Sequence, residues 1–254
     1  MLQSQREAEI KRLLREQKGA SGTELADRLG VSVATIRRDL QRLDRNGELR
    51  RVYGGAVLDE QPADPVEPPF EIVSDVDADN KEAVAATAAA LVQDGEVVVL
   101  DIGTTTARVA RRLRERSITV ITNSLAVFDI LRDDPVVRLV LLGGVVRRNY
   151  KTLVGLLTQE ALRQVSADKV FLSPAGIRRD GAVVENMEVE VAQKRAMVGA
   201  GQSVVLLAPP KKFPGGGSLR ICGLNDIDIV VSTDAISDEA REMCEQAGRD
   251  VITR

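Results

Sequence analysis

The 254-residue sequence predicts an α/β protein with two domains: an N-terminal winged helix-turn-helix and a larger, Rossmann-like domain with a mostly parallel sheet. Three observations support this fold class. Residues 1–57 have the pattern of three helices followed by a short basic hairpin. Residues 58–80 are rich in proline and acidic residues, which is typical of a semi-extended linker. In residues 81–254, short β-branched segments alternate with amphipathic helices, which indicates a parallel sheet covered on both faces.

The first two helices are predicted from apolar spacing and capping signals. A helical pattern covers residues 3–18. Ser21 and Glu24 have the spacing of a capping box, which opens a second helix that ends at Gly30. The turn that follows is short, and Ser32 is expected to cap a third helix by accepting a bond from an early backbone N–H.

The third helix has two chemically different faces. An apolar stripe is expected to pack on the small domain, and it consists of Val33, Ile36, Leu40 and Leu43. The opposite face carries Ala34, Thr35, Arg38, Gln41 and Arg42, with Arg37 at its edge. Such a face suits the major groove, because arginine donates two bonds to guanine and small residues allow close approach. Taken alone, the helix also fits an ordinary amphipathic helix whose charges face water.

A short basic hairpin over residues 48–53 is predicted as the wing, opened by Gly47 and turning at Gly54 and Gly55. Arg50 and Arg51 are then expected near DNA phosphates. The predicted DNA-binding residues are Ser32, Ala34, Thr35, Arg37, Arg38, Gln41, Arg42, Arg50, Arg51 and Tyr53.

The charge distribution agrees with this interpretation. Residues 1–57 contain 12 basic and 8 acidic residues, a net charge of +4, whereas the remainder contains 23 basic and 30 acidic residues. The positive charge is therefore confined to the segment that would contact DNA, where attraction to phosphate acts locally.

Composition excludes several function classes. The chain has no histidine, so it has no Ser-His-Asp or Cys-His catalytic site and no imidazole zinc ligand. Cys222 and Cys244 lie outside any metal-binding spacing and fit free thiols in a reducing compartment. We expect no metal and no other cofactor. No apolar run of about 18 residues and no secretion signal is found, so we expect a cytoplasmic protein without a membrane partner.

The second domain is predicted from alternating segments. The strands are expected at residues 96–100, 118–121, 136–142, 169–172, 203–207, 227–231 and 251–252. The helices are expected at residues 81–93, 105–116, 155–165, 185–199 and 237–248. Ligands of such sheets bind beyond the carboxyl ends of the strands, where this sequence places small polar or glycine-rich turns at residues 101–106, 122–124, 142–144 and 173–176.

The turn after the first of these strands is a candidate anion site. Gly103 permits a tight turn, and the hydroxyls of Thr104, Thr105 and Thr106 lie at the start of a helix whose dipole favours negative charge. The turn lacks the Gly-Lys-Ser/Thr ending of a Walker A loop, and it does not match the G-x-G-x-x-G motif. A phosphate site and a plain helix cap both remain open from the residues alone.

Residues 31–40 together with residues 49–56 resemble the DNA-binding signature of the DeoR family of bacterial transcriptional regulators, with Tyr53 where that family usually has histidine. The resemblance covers nearly the whole chain. It implies a homo-oligomer, a dimer or tetramer, that binds a double-stranded DNA operator. It also implies a repressor of sugar-metabolism genes that is released by a phosphorylated sugar.

Residues 101–106, 122–123, 142–144 and 193–196 resemble the effector domain of the same family, which is similar in fold to ribose-5-phosphate isomerase. By this resemblance, Gly103 to Thr106 hold the phosphate. The implied sugar site is lined by Asp101, Asn123, Gly144, Gly176 and Lys194.

Two departures from these patterns affect function. Gln193 and Lys194 occupy the position of the isomerases' catalytic glutamate, and residues 174–177 lack the carboxylates of their sugar loop, so we expect no enzyme activity. The family's Asp-x-Ser/Thr-Lys turn appears here as residues 209–212, followed by a glycine run. Lys212 is expected to keep its effector-binding role. The alternatives are a disordered loop with an oligomerisation domain that needs no ligand, or a phosphosugar enzyme fused to a DNA-binding module.

Overall fold

The computed structural model describes residues 3–17, 20–46, 48–52, 55–57 and 70–253. The chain divides into two compact units, residues 1–69 and residues 70–254. Within the described residues, no helix combines the length and the apolar character that crossing a membrane requires.

The first unit is a winged helix-turn-helix, as predicted. Its elements are α1 (Gln3–Gln17), β1 (Ala20–Ser21), α2 (Gly22–Leu29), α3 (Val33–Arg45), β2 (Arg50–Val52) and β3 (Gly55–Val57). The three short strands form one antiparallel sheet in the order β1-β3-β2. The predicted turn at Gly54, the predicted start of the hairpin at Gly47 and the linker over residues 58–69 lie outside the described residues.

Capping and burial explain the helices of this unit. The Ser21 hydroxyl accepts a bond from the Glu24 backbone N–H at 3.1 Å. Gly30 ends α2 with φ of 63°, a conformation that glycine adopts without the steric penalty of a Cβ. Ile36, Leu40 and Leu43 of α3 are buried in the core with leucines of α1 and α2. Val33, predicted to belong to this stripe, is 40% exposed because it opens the first turn of α3, beyond the part that packs on the core.

The second unit alternates strands and helices. Its helices are α4 (Phe70–Asp75), α5 (Ala78–Ala90), α6 (Thr104–Arg112), α7 (Leu125–Leu131), α8 (Leu156–Arg163), α9 (Glu188–Ala200) and α10 (Asp238–Gln246). Its strands are β4 (Val97–Leu100), β5 (Thr119–Thr122), β6 (Arg138–Leu141), β7 (Val145–Arg147), β8 (Thr152–Val154), β9 (Ala167–Leu172), β10 (Gly176–Ile177), β11 (Ala182–Glu185), β12 (Gly201–Leu207), β13 (Leu219–Gly223), β14 (Ile229–Ser232) and β15 (Asp250–Thr253). Short 3₁₀ turns cover Pro210–Lys212 and Leu224–Asp226.

The main sheet has seven parallel strands in the order β15-β14-β12-β9-β4-β5-β6, and each corresponds to a predicted strand. Alternate residues of β4 supply two different cores. Val98 and Leu100 pack with α5, α6 and α7, whereas Val99 packs with α8 and α9. The sheet is therefore covered on both faces, which explains why its strands are continuous apolar runs.

Two smaller antiparallel sheets and two helices were not predicted. One sheet has the order β10-β11-β13, and the other is the hairpin of β7 and β8. The additional helices are α4 and α7. These elements are short, and the β7–β8 hairpin has no clear apolar alternation, so the sequence pattern does not distinguish them from turns.

The second unit begins eleven residues before the predicted boundary at residue 81. The Phe70 side chain is buried against Ala107 and Ala126, and its ring meets the Tyr150 ring edge-to-face at 5.8 Å. Burial of this aromatic side chain holds α4 on the second unit. The proline-rich composition of residues 58–80 therefore does not predict the helix that begins at Phe70.

Candidate functional site

The exposed face of α3 is the candidate DNA interface. Ala34, Arg37, Arg38 and Gln41 are exposed, while Ile36 and Leu40 on the opposite side are buried. Ser32 caps the helix by accepting a bond from the Thr35 backbone N–H at 3.1 Å, and its hydroxyl lies 2.9 Å from the half-buried Thr35 hydroxyl. The predicted orientation of the helix is therefore the observed one. Its polar face is open to a ligand along the length from Ala34 to Gln41.

Arg42 differs from the other arginines of this helix. It is half-buried and forms ion pairs with Glu7 of α1 and with Asp39, the latter at 3.4 Å. Asp39 is itself buried and accepts two further bonds from Arg6, at 2.5 and 3.1 Å. These contacts join α1 to α3. Arg42 thus has a structural role, and it lies at the edge of the helix face that the sequence predicts to contact DNA.

The wing is described in part. Arg51 is exposed in β2, and its backbone N–H donates to the Asp44 carboxylate at 3.0 Å, which ties the wing to the end of α3. Arg50 opens β2 opposite Val57. The Arg50 side chain and all of Tyr53 lie outside the described residues.

The candidate effector site is centred on a buried ion pair at the carboxyl edge of the main sheet. Asp101 directly follows β4 and accepts backbone bonds from Ser173, which follows β9, at 2.9 Å and from Ile102 at 2.8 Å. Lys194 of α9 contacts the Asp101 carboxylate and donates to the Ser173 carbonyl at 2.8 Å. Both side chains of the pair are 1% exposed. Two strand ends and one helix thus meet at a single charged pair.

Three carboxylates surround Lys194. Burial opposes its charge, but Asp101 and Glu185, whose carboxylate is 3.5 Å away, outweigh burial and raise the pKa of Lys194. Glu190, one turn earlier in α9, contacts Arg147. Burial raises the pKa of Glu190 to about 7, against the lowering effects of Lys194 and Arg147. Burying a pair of charges costs desolvation free energy, so such a pair adds little to stability. Its position at the edge where ligands bind points to a functional role.

The Gly103–Thr106 turn lies beside this pair. Gly103 has φ of 120°, and a Cβ there would lie 3.3 Å from the Ser173 hydroxyl, so glycine permits both the conformation and the close approach. Thr104, Thr105 and Thr106 are all buried at the start of α6. The Thr106 hydroxyl donates to the Gly103 carbonyl at 2.8 Å and closes the turn.

Two cations near this turn were not identified from the sequence. Arg108 is buried and donates to the Thr104 carbonyl at 3.1 Å and to the Ser74 carbonyl at 2.9 Å. Lys81 of α5 is 7% exposed and donates to the Val73 carbonyl at 2.6 Å. Burial, followed by the positive charges of Arg108 and Lys212, lowers the pKa of Lys81 to about 8. A signal was available, since Lys81 falls on the same helical face as the buried residues Val84, Ala85 and Ala88.

Lys212 reaches the same region from the Pro210–Lys212 turn. Its ammonium donates to the Ala175 carbonyl at 3.2 Å, and burial lowers the pKa of Lys212, helped by the charge of Lys194. A Cβ on Gly176 would lie only 2.4 Å from the Gly215 Cα. The glycine run thus packs directly on β10, and its residues allow the two backbones to approach closely.

Asn123 and Gly144 both lie beside β8. Asn123 directly follows β5, and Asp101 directly follows β4. The last residues of these two strands, Thr122 and Leu100, are register partners in the sheet. The Asn123 amide donates to the Leu153 carbonyl at 2.9 Å. Its buried carbonyl oxygen has no hydrogen-bond partner among the described residues, and neither has the amide of Gln193. A Cβ on Gly144 would lie 2.4 Å from the Thr158 hydroxyl.

Comparison with known proteins identifies both units. The DeoR-like helix-turn-helix domain matches residues 6–62, and the DeoR C terminal sensor domain matches residues 76–234, more than half of the chain. The HTH-type transcriptional regulator GlpR of Haloferax volcanii is 32% identical over 257 residues, covering 99% of this chain and 98% of that protein. The glycerol-3-phosphate regulon repressor of Escherichia coli (strain K12) is 32% identical over 236 residues, 92% of each chain.

Among solved structures, ribose 5-phosphate isomerase A of Methanocaldococcus jannaschii matches 51% of this chain and 51% of its own, with a TM-score of 0.38 and 20% identity. The two family models together span both structural units, and the relatives match over nearly their full lengths. The chain therefore belongs to the DeoR family of transcriptional regulators.

Proposed function

We propose that this protein represses a sugar-metabolism operon and leaves its operator when a phosphorylated sugar binds to the second unit. It would act as a homo-oligomer in the cytoplasm. The observation that carries the DNA-binding part is the exposed Ala34–Gln41 face of α3, set on a buried apolar stripe. Two copies would read half-sites about 10–10.5 bp apart, or a multiple of this spacing.

In this proposal the effector's phosphate lies at the start of α6. The N–H groups of a helix start attract anions, and Lys81, Arg108 and Lys212 add positive charge there. Burial is the largest cause of the low pKa of Lys81, and repulsion by the charges of Arg108 and Lys212 lowers it further. A bound dianion would relieve that repulsion. The buried Asp101–Lys194 pair, with Asn123 nearby, would bond to sugar hydroxyls.

Calorimetric titration with a panel of phosphorylated sugars tests the effector site. Affinity for the sugar phosphate should be highest between about pH 6, below which the phosphate takes up a proton, and about pH 8, and it should fall at higher pH because Lys81 then loses its proton (pKa about 8). Lys81→Met should weaken binding at least tenfold and remove the fall at high pH.

Lys169→Met is the matched control, because Lys169 pairs with Glu96 near the other end of β9 and outside the site. A Lys81→Met protein that binds with unchanged affinity would contradict this placement of the phosphate. A wild-type protein that binds no phosphorylated sugar would favour an oligomerisation domain that needs no ligand.

A further inference from the structure

The side-chain amide of Gln193 is buried without a hydrogen-bond partner. The side chain is 1% exposed, and neither its nitrogen nor its oxygen has a partner among the described residues. Within the same part of the chain, the buried carbonyl oxygen of Asn123 also has none. A buried donor or acceptor without a partner destabilises the folded state, so its retention points to a role other than stability.

Both amides lie at the carboxyl edge of the main sheet. Helix α9 leads directly into β12, so it runs antiparallel to the strands and begins near their carboxyl ends. Met197 of α9 packs in the core that contains Ile121 of β5. Gln193 precedes Met197 by one turn on the same helix face, so it lies over the end of β5, which Asn123 directly follows. Because Gln193 also directly precedes Lys194, the two amides adjoin the buried ion pair.

The cations beside these amides already have carboxylate partners. Lys194 contacts Asp101, and the Glu185 carboxylate lies 3.5 Å from its ammonium. Arg147 contacts Glu190, which lies one turn before Lys194 on α9. A negatively charged ligand group at this place would have to compete with these carboxylates for their cations. Burying a charge without full compensation costs free energy, whereas a hydroxyl group needs only hydrogen bonds.

We propose that Gln193 and Asn123 select an effector whose end away from the phosphate is an uncharged polyol, and that phosphorylated sugar acids are excluded. This inference rests on the proposed function, which places the phosphate at the start of α6. An amide donates and accepts, as a hydroxyl does, so each amide can bond to a sugar hydroxyl. The carboxylate of a sugar acid only accepts, and it would compete with Asp101 for Lys194. Gln193 is thus a specificity-determining residue whose hydrogen bonds the ligand completes.

Gln193→Leu separates this role from a structural one. Leucine is similar in size, and replacing an unpaired buried amide with an apolar group removes the cost of burying the amide. The free energy of unfolding of the variant should therefore equal or exceed the wild-type value, as urea unfolding would show. A clearly less stable variant would contradict the ligand-binding role. Asn123 suits this test less well, because its amide nitrogen donates to the Leu153 carbonyl and a substitution would disturb β8.

Calorimetric titration of the full chain with matched pairs of ligands tests the selection. Each pair consists of a phosphorylated sugar or sugar alcohol and the phosphorylated aldonic acid of the same carbon chain, such as glucitol 6-phosphate and 6-phosphogluconate. The wild-type protein should bind the uncharged member of at least one pair, at least tenfold more tightly than the acid. Gln193→Leu should weaken binding of that uncharged member at least fivefold and that of the acid less, so that the preference becomes smaller.

Gln202→Leu is the matched control. Gln202 is exposed near the start of β12, at the opposite edge of the sheet, so this variant should bind as wild type does. An acid that binds as tightly as its uncharged partner, or a Gln193→Leu protein with unchanged affinity and preference, overturns this inference and leaves the proposed function intact. A wild-type protein that binds no phosphorylated sugar or sugar alcohol overturns both.

Discussion

Arg38 and Arg42 lie one turn apart on α3, and the structure predicts opposite outcomes when each is changed to alanine. Arg38 is exposed on the face opposite the buried stripe, whereas Arg42 is engaged with Glu7 and Asp39. Alanine favours helix at both positions. The Arg38→Ala protein should therefore keep its fold and lose DNA selectivity. The Arg42→Ala protein should mainly lose stability.

The expected magnitudes follow from what each side chain contacts. A bidentate contact between arginine and guanine contributes about 1–3 kcal/mol of discrimination, so Arg38→Ala should weaken operator binding roughly 5- to 150-fold. The pairs of Arg42 are partly exposed, and Asp39 keeps its two bonds from Arg6. Arg42→Ala should therefore lower the free energy of unfolding by about 1 kcal/mol or less.

Gel-shift titration on the promoter region of the chain's own gene, against unrelated competitor DNA, measures the ratio of specific to non-specific affinity. We expect this ratio to fall for Arg38→Ala and to change much less for Arg42→Ala. Arg132→Ala, at an exposed arginine of the second unit, serves as the control. If Arg38→Ala keeps the wild-type ratio, the assignment of this helix face to the major groove is wrong.

Three further predictions concern the wing and the second unit. Arg51→Ala should weaken binding to all sequences alike and reduce the slope of log affinity against log salt by about one, as a salt titration would show; a sequence-dependent loss would contradict a phosphate contact. Gly176→Ala should lower the free energy of unfolding by about 1–3 kcal/mol, as thermal unfolding would show, because the new methyl group would lie 2.4 Å from the backbone of Gly215. Gly143→Ala is the control and should leave the stability unchanged, because a methyl group there contacts nothing. The pKa of Glu190 is about 7 in the folded protein and 4.5 in the unfolded chain, so between these pH values the folded state holds an extra proton. The free energy of unfolding should therefore fall as the pH rises from about 4.5 to about 7. Urea unfolding of Glu190→Gln should show a weaker fall, and an equal fall in both proteins would contradict the raised pKa.

Local signals in the sequence were sufficient where a local interaction determines the structure. Ser21, Ser32 and Gly30 cap helices in the positions that their types predict, because each acts on backbone groups within a few residues. The seven strands of the main sheet were predicted for a related reason. Burial on both faces requires continuous apolar segments, and such segments are visible without any knowledge of their neighbours.

The missed features depend on partners that are distant in the sequence. Lys81 acquires its low pKa from burial and from Arg108 and Lys212, which lie 27 and 131 residues further along the chain. Phe70 falls within the predicted linker of residues 58–80, and its packing on Tyr150 and α6 places it in the second unit. Composition reports local preference, whereas these roles are decided by tertiary contacts.

Release of the operator by an effector tests the central claim most directly. A preformed complex of the full chain with its own promoter DNA should be titrated with phosphorylated sugars and with the same sugars lacking phosphate. The account predicts that at least one phosphorylated sugar raises the dissociation constant tenfold or more, while its unphosphorylated counterpart does not. A complex that no phosphorylated sugar changes, or one that forms equally well on unrelated DNA, would contradict it.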